Sequence, residues 1–329
     1  MTLSVFIPTC NRPTMLRTAL FSVANQTAID QVSEVIVIEN GLCRESKAIC
    51  DEFPNLPINY LFRETPLSPG IESIDDAMKY IHGDFLAILF DDDWWLESHL
   101  ERAMGSFTMW DNVSASYANC ITTSGEESPF NGFFCQFNPW FAATEKQKLD
   151  RWQFSLADLL VANLISTAFH LSSLVVTREV WMHSIEVIRD GNTYDIDRLL
   201  AVEFGKFGSV IADHIPSVVV RIHPGQEAIR LIGDEGQKWW DCTTKKLTKL
   251  ASESGIDIKQ EFMKRFRMKE ISTEKLIEAT SRNSRDTLEE YGVIDAVYMR
   301  RHSRLSSTKK ILRELCPPFV YKLLSKLKK

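Results

Sequence analysis

The chain lacks paired cysteines. Its seven, Cys10, Cys43, Cys50, Cys120, Cys135, Cys242 and Cys316, include no CxxC spacing, which excludes a disulfide framework and a zinc site, so a reducing compartment is expected. Long apolar runs are missing too, none approaching the roughly 20 residues that span a bilayer. The amino-terminal MTLSVFIPTC has neither the basic start nor the extended apolar core of a secretory signal. A cytoplasmic location is expected from both. Positive charge is in deficit, with 38 Lys and Arg against 44 Asp and Glu and a net charge of -6. That excludes a general nucleic-acid binder, whose phosphate affinity needs a dominant basic surface. Internal repeats are absent, as is any early glycine-rich loop carrying Lys or Arg of the kind that cradles a nucleoside triphosphate.

What remains is an ordinary globular composition, 44% hydrophobic over 329 residues, sufficient for one large domain or two modest ones. The first third alternates short apolar runs with amphipathic segments, predicting strands at 3–8, 35–38, 58–62 and 85–90 and helices at 14–25, 44–53 and 71–81. Such a βαβαβαβ series predicts an α/β fold, its sheet mostly parallel and covered by helices on both faces. From 116 to 152 the rhythm gives way to a loop-rich section with Phe130, Phe133, Phe134, Phe137, Trp140 and Phe141. These aromatics read either as a ligand-binding lid or as a small core of their own. Order resumes with 154–164, a strand at 170–177, a helix from Glu179 and two short strands at 210–212 and 218–222. Beyond Gly225 the sequence is mainly helical, with breaks at Gly255 and at Pro317-Pro318.

The chemistry gathers at strand ends. Asp91, Asp92 and Asp93 directly follow the apolar run at 85–90, so three carboxylates stand where a buried strand leaves the core, the place where open α/β sheets bind ligands. On an extended backbone alternate side chains share a side, so Asp91 and Asp93 are expected to converge and Asp92 to face away. Converging carboxylates need a cation between them, and a divalent metal carrying a diphosphate answers that need. The plainer reading is a solvated acidic turn capping a helix from about Trp95. The first strand ends in Ile7-Pro8-Thr9-Cys10-Asn11-Arg12-Pro13 and the second in Val37-Ile38-Glu39-Asn40-Gly41. With the triplet, these ends are expected to form one rim.

Together the segments IPTxNRP, VIxNG and GDFLAxLFDDD resemble the nucleotide-sugar-binding half of the family 2 glycosyltransferases, which adopt the GT-A fold. The resemblance implies that Asp91 and Asp93 hold Mn²⁺ or Mg²⁺ against the donor diphosphate and that Asp92 lies nearer the ribose or sugar. It also implies that Pro8, Thr9, Asn11 and Arg12 line the nucleotide pocket, with Glu39 and Asn40 approaching the base. Two departures stand out. The family's usual Asp-Asp is Glu39-Asn40 here, and its Arg-Asn pair ahead of the metal strand falls on Ile74 and Asp75, leaving Arg12 or Arg63 to face the phosphates. Further along, Tyr194-Asp195-Ile196-Asp197-Arg198 resembles the family's acidic motif at a helix start. That implies a general base for the attacking hydroxyl, Asp195 first with Asp197 next to it since a small shift in register exchanges them, a role contributing roughly 10² to 10⁴ in rate. The same residues also make an ordinary helix N-cap. Arg221-Ile222-His223 resembles the family's R-x-H element, implying His223 in the metal shell or against the diphosphate.

On this reading residues 1–230 form the catalytic domain, with 1–115 binding donor and 116–230 binding acceptor, and 231–329 form a helical extension. Its last stretch carries Lys309, Lys310, Arg313, Lys322, Lys326, Lys328 and Lys329 against Glu314, with Val320, Leu323, Leu324 and Leu327 on one helical face. This is the pattern of an interfacial helix, so peripheral attachment to the inner face of the cytoplasmic membrane is expected, the alternative being docking on its own domain. The expected function is inverting transfer of a sugar from a nucleotide-diphosphate donor to a hydroxyl of a glycan or lipid-linked glycan, in surface polysaccharide synthesis. Two alternatives stand beside it. A nucleotidyltransferase making sugar nucleotides would release pyrophosphate from a triphosphate; an inactive carbohydrate-binding or scaffold protein on the same fold would turn over no donor.

Overall fold

Apolar runs in the first third are continuous rather than alternating because both faces of their strands are buried. The computed structural model describes residues 1–41, 43–65, 76–123, 147–165, 167–189, 196–224 and 234–267. In β1 (Leu3–Thr9), Leu3, Val5 and Ile7 enter one core cluster and Phe6 the other; in β2 (Val32–Glu39), Val35 and Val37 part in the same way from Ile36 and Ile38. Two hydrophobic cores thus flank one sheet.

The sheet begins with parallel strands in the order β3 (Ile58–Phe62), β2, β1, β4 (Phe85–Ile88). It continues through β9 (Leu174–Thr177), antiparallel to both β4 and β6 (Val113–Thr123). β6 pairs in parallel with β10 (Ser209–Arg221), and β8 (Arg151–Phe154) and β7 (Gln147–Lys148) close the far edge. β5 (Trp94–Trp95) pairs with β10. The antiparallel β9 brings the residues ahead of it, 170–173, beside the end of β4.

Helices cover each face. α1 (Pro13–Ala24) starts on Pro13, whose fixed φ suits a first helical position, and buries Leu16, Ala19, Leu20 and Val23 at helical spacing. α2 (Glu45–Asp51) and α3 (His99–Met109) share that core through Ile49, Leu100, Ala103 and Met104. Opposite lie α4 (Leu156–Ile165), α5 (Arg178–Arg189), α6 (Ile196–Phe204), α7 (Asp234–Glu253) and α8 (Ile258–Arg267). Leu247, Leu250, Ile258 and Phe262 of the last two are buried in the core with α4 and α6. Fully buried Arg198 on α6 joins these helices. Its guanidinium carbon lies 3.5 Å from the Trp240 ring centroid, Nε donates to the Asn163 carbonyl at 2.6 Å, and Nη2 donates to Thr244 Oγ1 at 3.1 Å.

Several expectations are corrected. Residues 116–123 are not the start of a loop section but the body of β6, an 11-residue strand. Small and polar residues, Ser116, Ala118 and Asn119, hide it from an apolar-run reading, and they are buried because neighbouring strands lie on both sides. The two strands expected at 210–212 and 218–222 are one, β10, whose register shifts around Pro216. The helix expected from about Trp95 begins at His99, since Trp94 and Trp95 pair with Val219 and Val218. The strand expected over 170–177 begins at Leu174, after a 3-10 turn. The break at Gly255 is present, at φ +67 between α7 and α8. The aromatic section at 130–141, Ile74, Asp75 and the basic segment from 308 lie outside the described residues.

Candidate active site

The carboxyl ends of β1, β2 and β4 come together as the sequence suggests. Pro8 and Thr9 pair with Ile38 and Glu39 in the last rungs of the β1–β2 ladder, and Asn40 N donates to the Thr9 carbonyl at 2.8 Å. Asn11 takes a left-handed backbone, φ 57, which Asn tolerates better than most side chains. Its side chain lies so close over Gly41 that a Cβ there would sit 2.5 Å from Asn11 Oδ1, so Gly41 is what lets the two strand ends touch.

Glu39 is the strut of this corner. Fully buried, it accepts from the backbone N–H groups of Asn11 at 3.0 Å and Gly41 at 2.8 Å through Oε1, and from the Ser46 hydroxyl at 2.5 Å through Oε2. A carboxylate so occupied holds both loops in place, a role the reading of Glu39 as a base contact did not foresee. Glu39→Ala strands three donors and is expected to cost about 3 kcal/mol or more of stability, since each orphaned buried group costs about 1–3 kcal/mol. Glu39→Gln keeps acceptors and donors in balance and loses less than half of that. Urea unfolding of the two variants checks the difference.

The acidic triplet is a turn, and its geometry corrects the expected alternation. The strand ends at Ile88 and Asp93 N bonds back to the Phe90 carbonyl at 3.1 Å, so the backbone is not extended at 91–93. Asp91 and Asp92, not Asp91 and Asp93, converge. Arg12 Nη1 lies 3.1 Å from Asp91 Oδ1 and 3.0 Å from Asp92 Oδ2. Asp91 Oδ2 also accepts from the Thr9 hydroxyl at 2.8 Å and the Cys10 N–H at 3.4 Å. Asp92 Oδ2 stands 3.0 Å from His223 Nε2, beyond the end of β10.

Asp93 turns inward. Its oxygens accept from the Ser172 hydroxyl at 2.5 Å and from the Arg221 N–H at 3.0 Å, with His170 Nδ1 3.8 Å away. Burial, and then the charge of Asp92, pushes its pKa up. A carboxyl held toward its neutral form between two other segments acts as a tie. Arg221 completes the tie, its Nε donating to the Asp92 carbonyl at 3.2 Å and its guanidinium lying 5.0 Å from the Trp94 ring centroid.

Asp91 is raised to about 6, chiefly by burial, which Arg12 only partly offsets. The sign follows directly. A native pKa above the unfolded value means the folded chain holds this proton more tightly, so the contribution to stability is full below about pH 4 and is lost as pH rises through about 6. Asp91→Asn, which mimics the protonated form, is therefore expected to match wild-type Tm near pH 3.5 and exceed it near pH 7.5. The limit is about 3 kcal/mol for a shift of this size. A Tm difference independent of pH would contradict the assignment.

Of the two aspartates proposed as base, Asp195 lies outside the described residues. Asp197 occupies the first turn of α6, partly buried. Its charge acts on Tyr117, on His170 and on Cys120, and Cys120 also feels Asp93. Burial is the larger cause at each, raising Tyr117 and Cys120 and lowering His170. His170, whose Nδ1 lies 3.8 Å from Asp93, thus feels the charges of both Asp197 and Asp92. His170 and Ser172 were missed in the sequence. Their signal is polar residues immediately ahead of the apolar 174–176, legible only once β9 is known to run antiparallel to β4.

Arg63, one of the two arginines left to face phosphates, is ion-paired with Asp76. Among the described residues no three of His, Cys, Asp and Glu already meet as a metal-ligand cluster. The donor set at the mouth nonetheless fits Mn²⁺ or Mg²⁺. Asp92 and His223 are two adjacent donors, each side chain 15% exposed or less, and such ions take their remaining ligands from phosphate and water.

Comparison with known proteins bears on the fold. No curated protein sequence matches the chain. Among solved structures, TarS 1-349 from S. aureus in complex with UDP-GlcNAc superposes with a TM-score of 0.54 at 12% identity, covering 94% of this chain and 74% of that one. The mannosyltransferase PcManGT from Pyrobaculum calidifontis, in complex with GDP-Man and Mn²⁺, gives 0.50 at 14% identity over 94% and 81%. A longer TarS structure is spanned only to 41% of its length. At such identities the likeness establishes the fold, which is GT-A. Residues 4–155 match the family described as Glycosyl transferase family 2, a stretch holding Thr9, Arg12, Glu39 and the acidic triplet but neither Asp197 nor His223. Over those residues the chain is similar to the glycosyltransferases of family 2.

Proposed function

We propose that this chain transfers a sugar from a nucleotide-diphosphate donor to a carbohydrate hydroxyl, with inversion at the anomeric carbon. The observation carrying the reading is the meeting of Asp91, Asp92, Arg12 and His223 at the common carboxyl edge of β1, β4 and β10. The complexes of the two structural neighbours with UDP-GlcNAc and with GDP-Man and Mn²⁺ support it.

In this reading Pro8, Thr9, Asn11 and Asn40 shape the nucleotide pocket, and Glu39 keeps its loops closed. Asp92 and His223 would hold Mn²⁺ or Mg²⁺, which would supply positive charge against the departing diphosphate. Asp93 fixes that corner to Ser172 and to the backbone of Arg221. Asp197 or Asp195 takes the acceptor's proton as its oxygen attacks the anomeric carbon and the bond to the diphosphate breaks. A glycan or lipid-linked acceptor and a place in surface polysaccharide synthesis rest on the family resemblance alone, and attachment to the inner face of the membrane rests on the sequence of the basic tail.

The test is turnover of a panel of nucleotide sugars with Mn²⁺, read as nucleoside diphosphate release with and without oligosaccharide acceptors. Diphosphate release from one donor class, stimulated by acceptor, is expected. Pyrophosphate release from a nucleoside triphosphate and a sugar phosphate, or no turnover of any donor, would overturn the reading.

A further inference from the structure

Three acidic side chains in succession would repel one another, and the structure shows what stands among them. Arg12 Nη1 bridges Asp91 and Asp92 at 3.1 and 3.0 Å, and the Asp92 oxygen it touches is the one that meets His223. A guanidinium thus occupies the position where two carboxylates would otherwise share a dication. Its backbone is fixed, because Arg12 lies between left-handed Asn11 and Pro13 at the start of α1 and its carbonyl accepts from Leu16 N at 3.0 Å. Its side chain is 29% exposed, so the head group can leave the carboxylates while the anchor stays at the rim.

We infer that Arg12 is the resident counter-ion of the acidic turn and couples metal binding to diphosphate binding. The inference rests on the reading of the site as a metal-diphosphate site. A cation seated on Asp92 and His223 must first displace the guanidinium, breaking charge-assisted hydrogen bonds and adding like-charge repulsion. Metal alone therefore binds weakly. The displaced fork, still tethered at the mouth, matches the oxygens of a diphosphate, so the diphosphate repays the displacement and draws the metal in. By linkage each ligand tightens the other by the same factor. The other arginines described near this edge are engaged elsewhere, Arg44 among them, 4.9 Å from the Phe62 ring centroid. Arg63 is paired with Asp76, and Arg221 bonds through Nε to the Asp92 carbonyl beside Trp94.

The experiment is Mn²⁺ titration of the full chain by electron paramagnetic resonance, with and without inorganic pyrophosphate and corrected for their complex in solution. Wild type is compared with Arg12→Gln and Arg12→Lys, each checked for wild-type Tm. For wild type, weak binding of Mn²⁺ alone and about tenfold tightening by pyrophosphate are expected, a coupling of about 1.4 kcal/mol. Arg12→Gln should bind Mn²⁺ alone several-fold more tightly than wild type and lose the coupling. Arg12→Lys, keeping the charge without the fork, should bind Mn²⁺ alone as weakly as wild type with reduced coupling. Unchanged or weaker Mn²⁺ binding by Arg12→Gln with coupling intact would overturn the inference and leave the metal site standing. Absence of saturable Mn²⁺ binding in all three proteins would overturn both.

Discussion

Asp92→Asn lowers kcat/KM for sugar transfer by about 10² to 10³ and leaves Tm within about 5 °C of wild type. The reason lies in where the carboxylate sits. Asp92 Oδ2 is the one atom that both Arg12 and His223 reach, each at 3.0 Å, and its side chain is at the cleft rather than within the core. Neutralising it removes the anionic donor that, in the proposed function, a cation and through it the diphosphate would depend on. A loss of about 3 to 4 kcal/mol in transition-state stabilisation gives the stated factor. Little packing is lost, and Arg12 keeps Asp91. The neighbouring substitution behaves differently. Asp93→Ala leaves the Ser172 hydroxyl and the Arg221 N–H without their acceptor, so its effect falls on stability as well as rate, at about 1–3 kcal/mol per stranded group. Wild-type kcat/KM for Asp92→Asn, measured at saturating Mn²⁺, would contradict the assignment.

Asp197→Asn lowers kcat by about 10² to 10⁴ while donor affinity stays within about twofold. A sugar hydroxyl is a poor nucleophile at neutral pH, and the loss of a positioned base appears in the chemical step rather than in donor binding. Asp197 suits the role by placement. It stands in the first turn of α6 and its charge reaches His170 and Cys120, which lie beside the acidic turn. Were it only a favourable charge at a helix start, the substitution would cost at most about 1 kcal/mol of stability and no rate. Parallel assay of Asp195→Asn separates the two aspartates, since the base takes the large loss and the other loses less than tenfold. Equal losses of kcat and donor affinity in both would exclude a base at this helix.

The donor half was legible in the sequence because its rules are local. Continuous apolar runs at 3–8, 35–38 and 85–88 become strands buried on both faces, and the polar residues of the candidate site follow each one. What local rules could not supply was the middle of the sheet. β6 carries Ser116, Ala118 and Asn119 where an apolar run is looked for, and β9 runs against β4, so 170–173 approach Asp93 from a distance of 79 residues along the chain. The alternation argument failed at Asp91, Asp92 and Asp93 for a related reason. It assumes an extended backbone, and the strand has already ended three residues earlier, at Ile88. Glu39 was legible as a strand-end acid but not as a tie, because its partners Asn11 and Gly41 come from loops whose approach depends on Gly41, and Ser46 comes from the start of α2.

The central claim is that the acidic turn, Arg12 and His223 together hold a nucleotide diphosphate through a cation. Its most direct test is a thermal-shift titration of the intact chain and of Asp92→Asn with UDP, GDP, dTDP and CMP and their common sugars, each with and without Mn²⁺. The account predicts a Mn²⁺-dependent rise in Tm for one nucleoside diphosphate and its sugars, absent in Asp92→Asn. Equal shifts in both proteins, or none for any nucleotide, would contradict it.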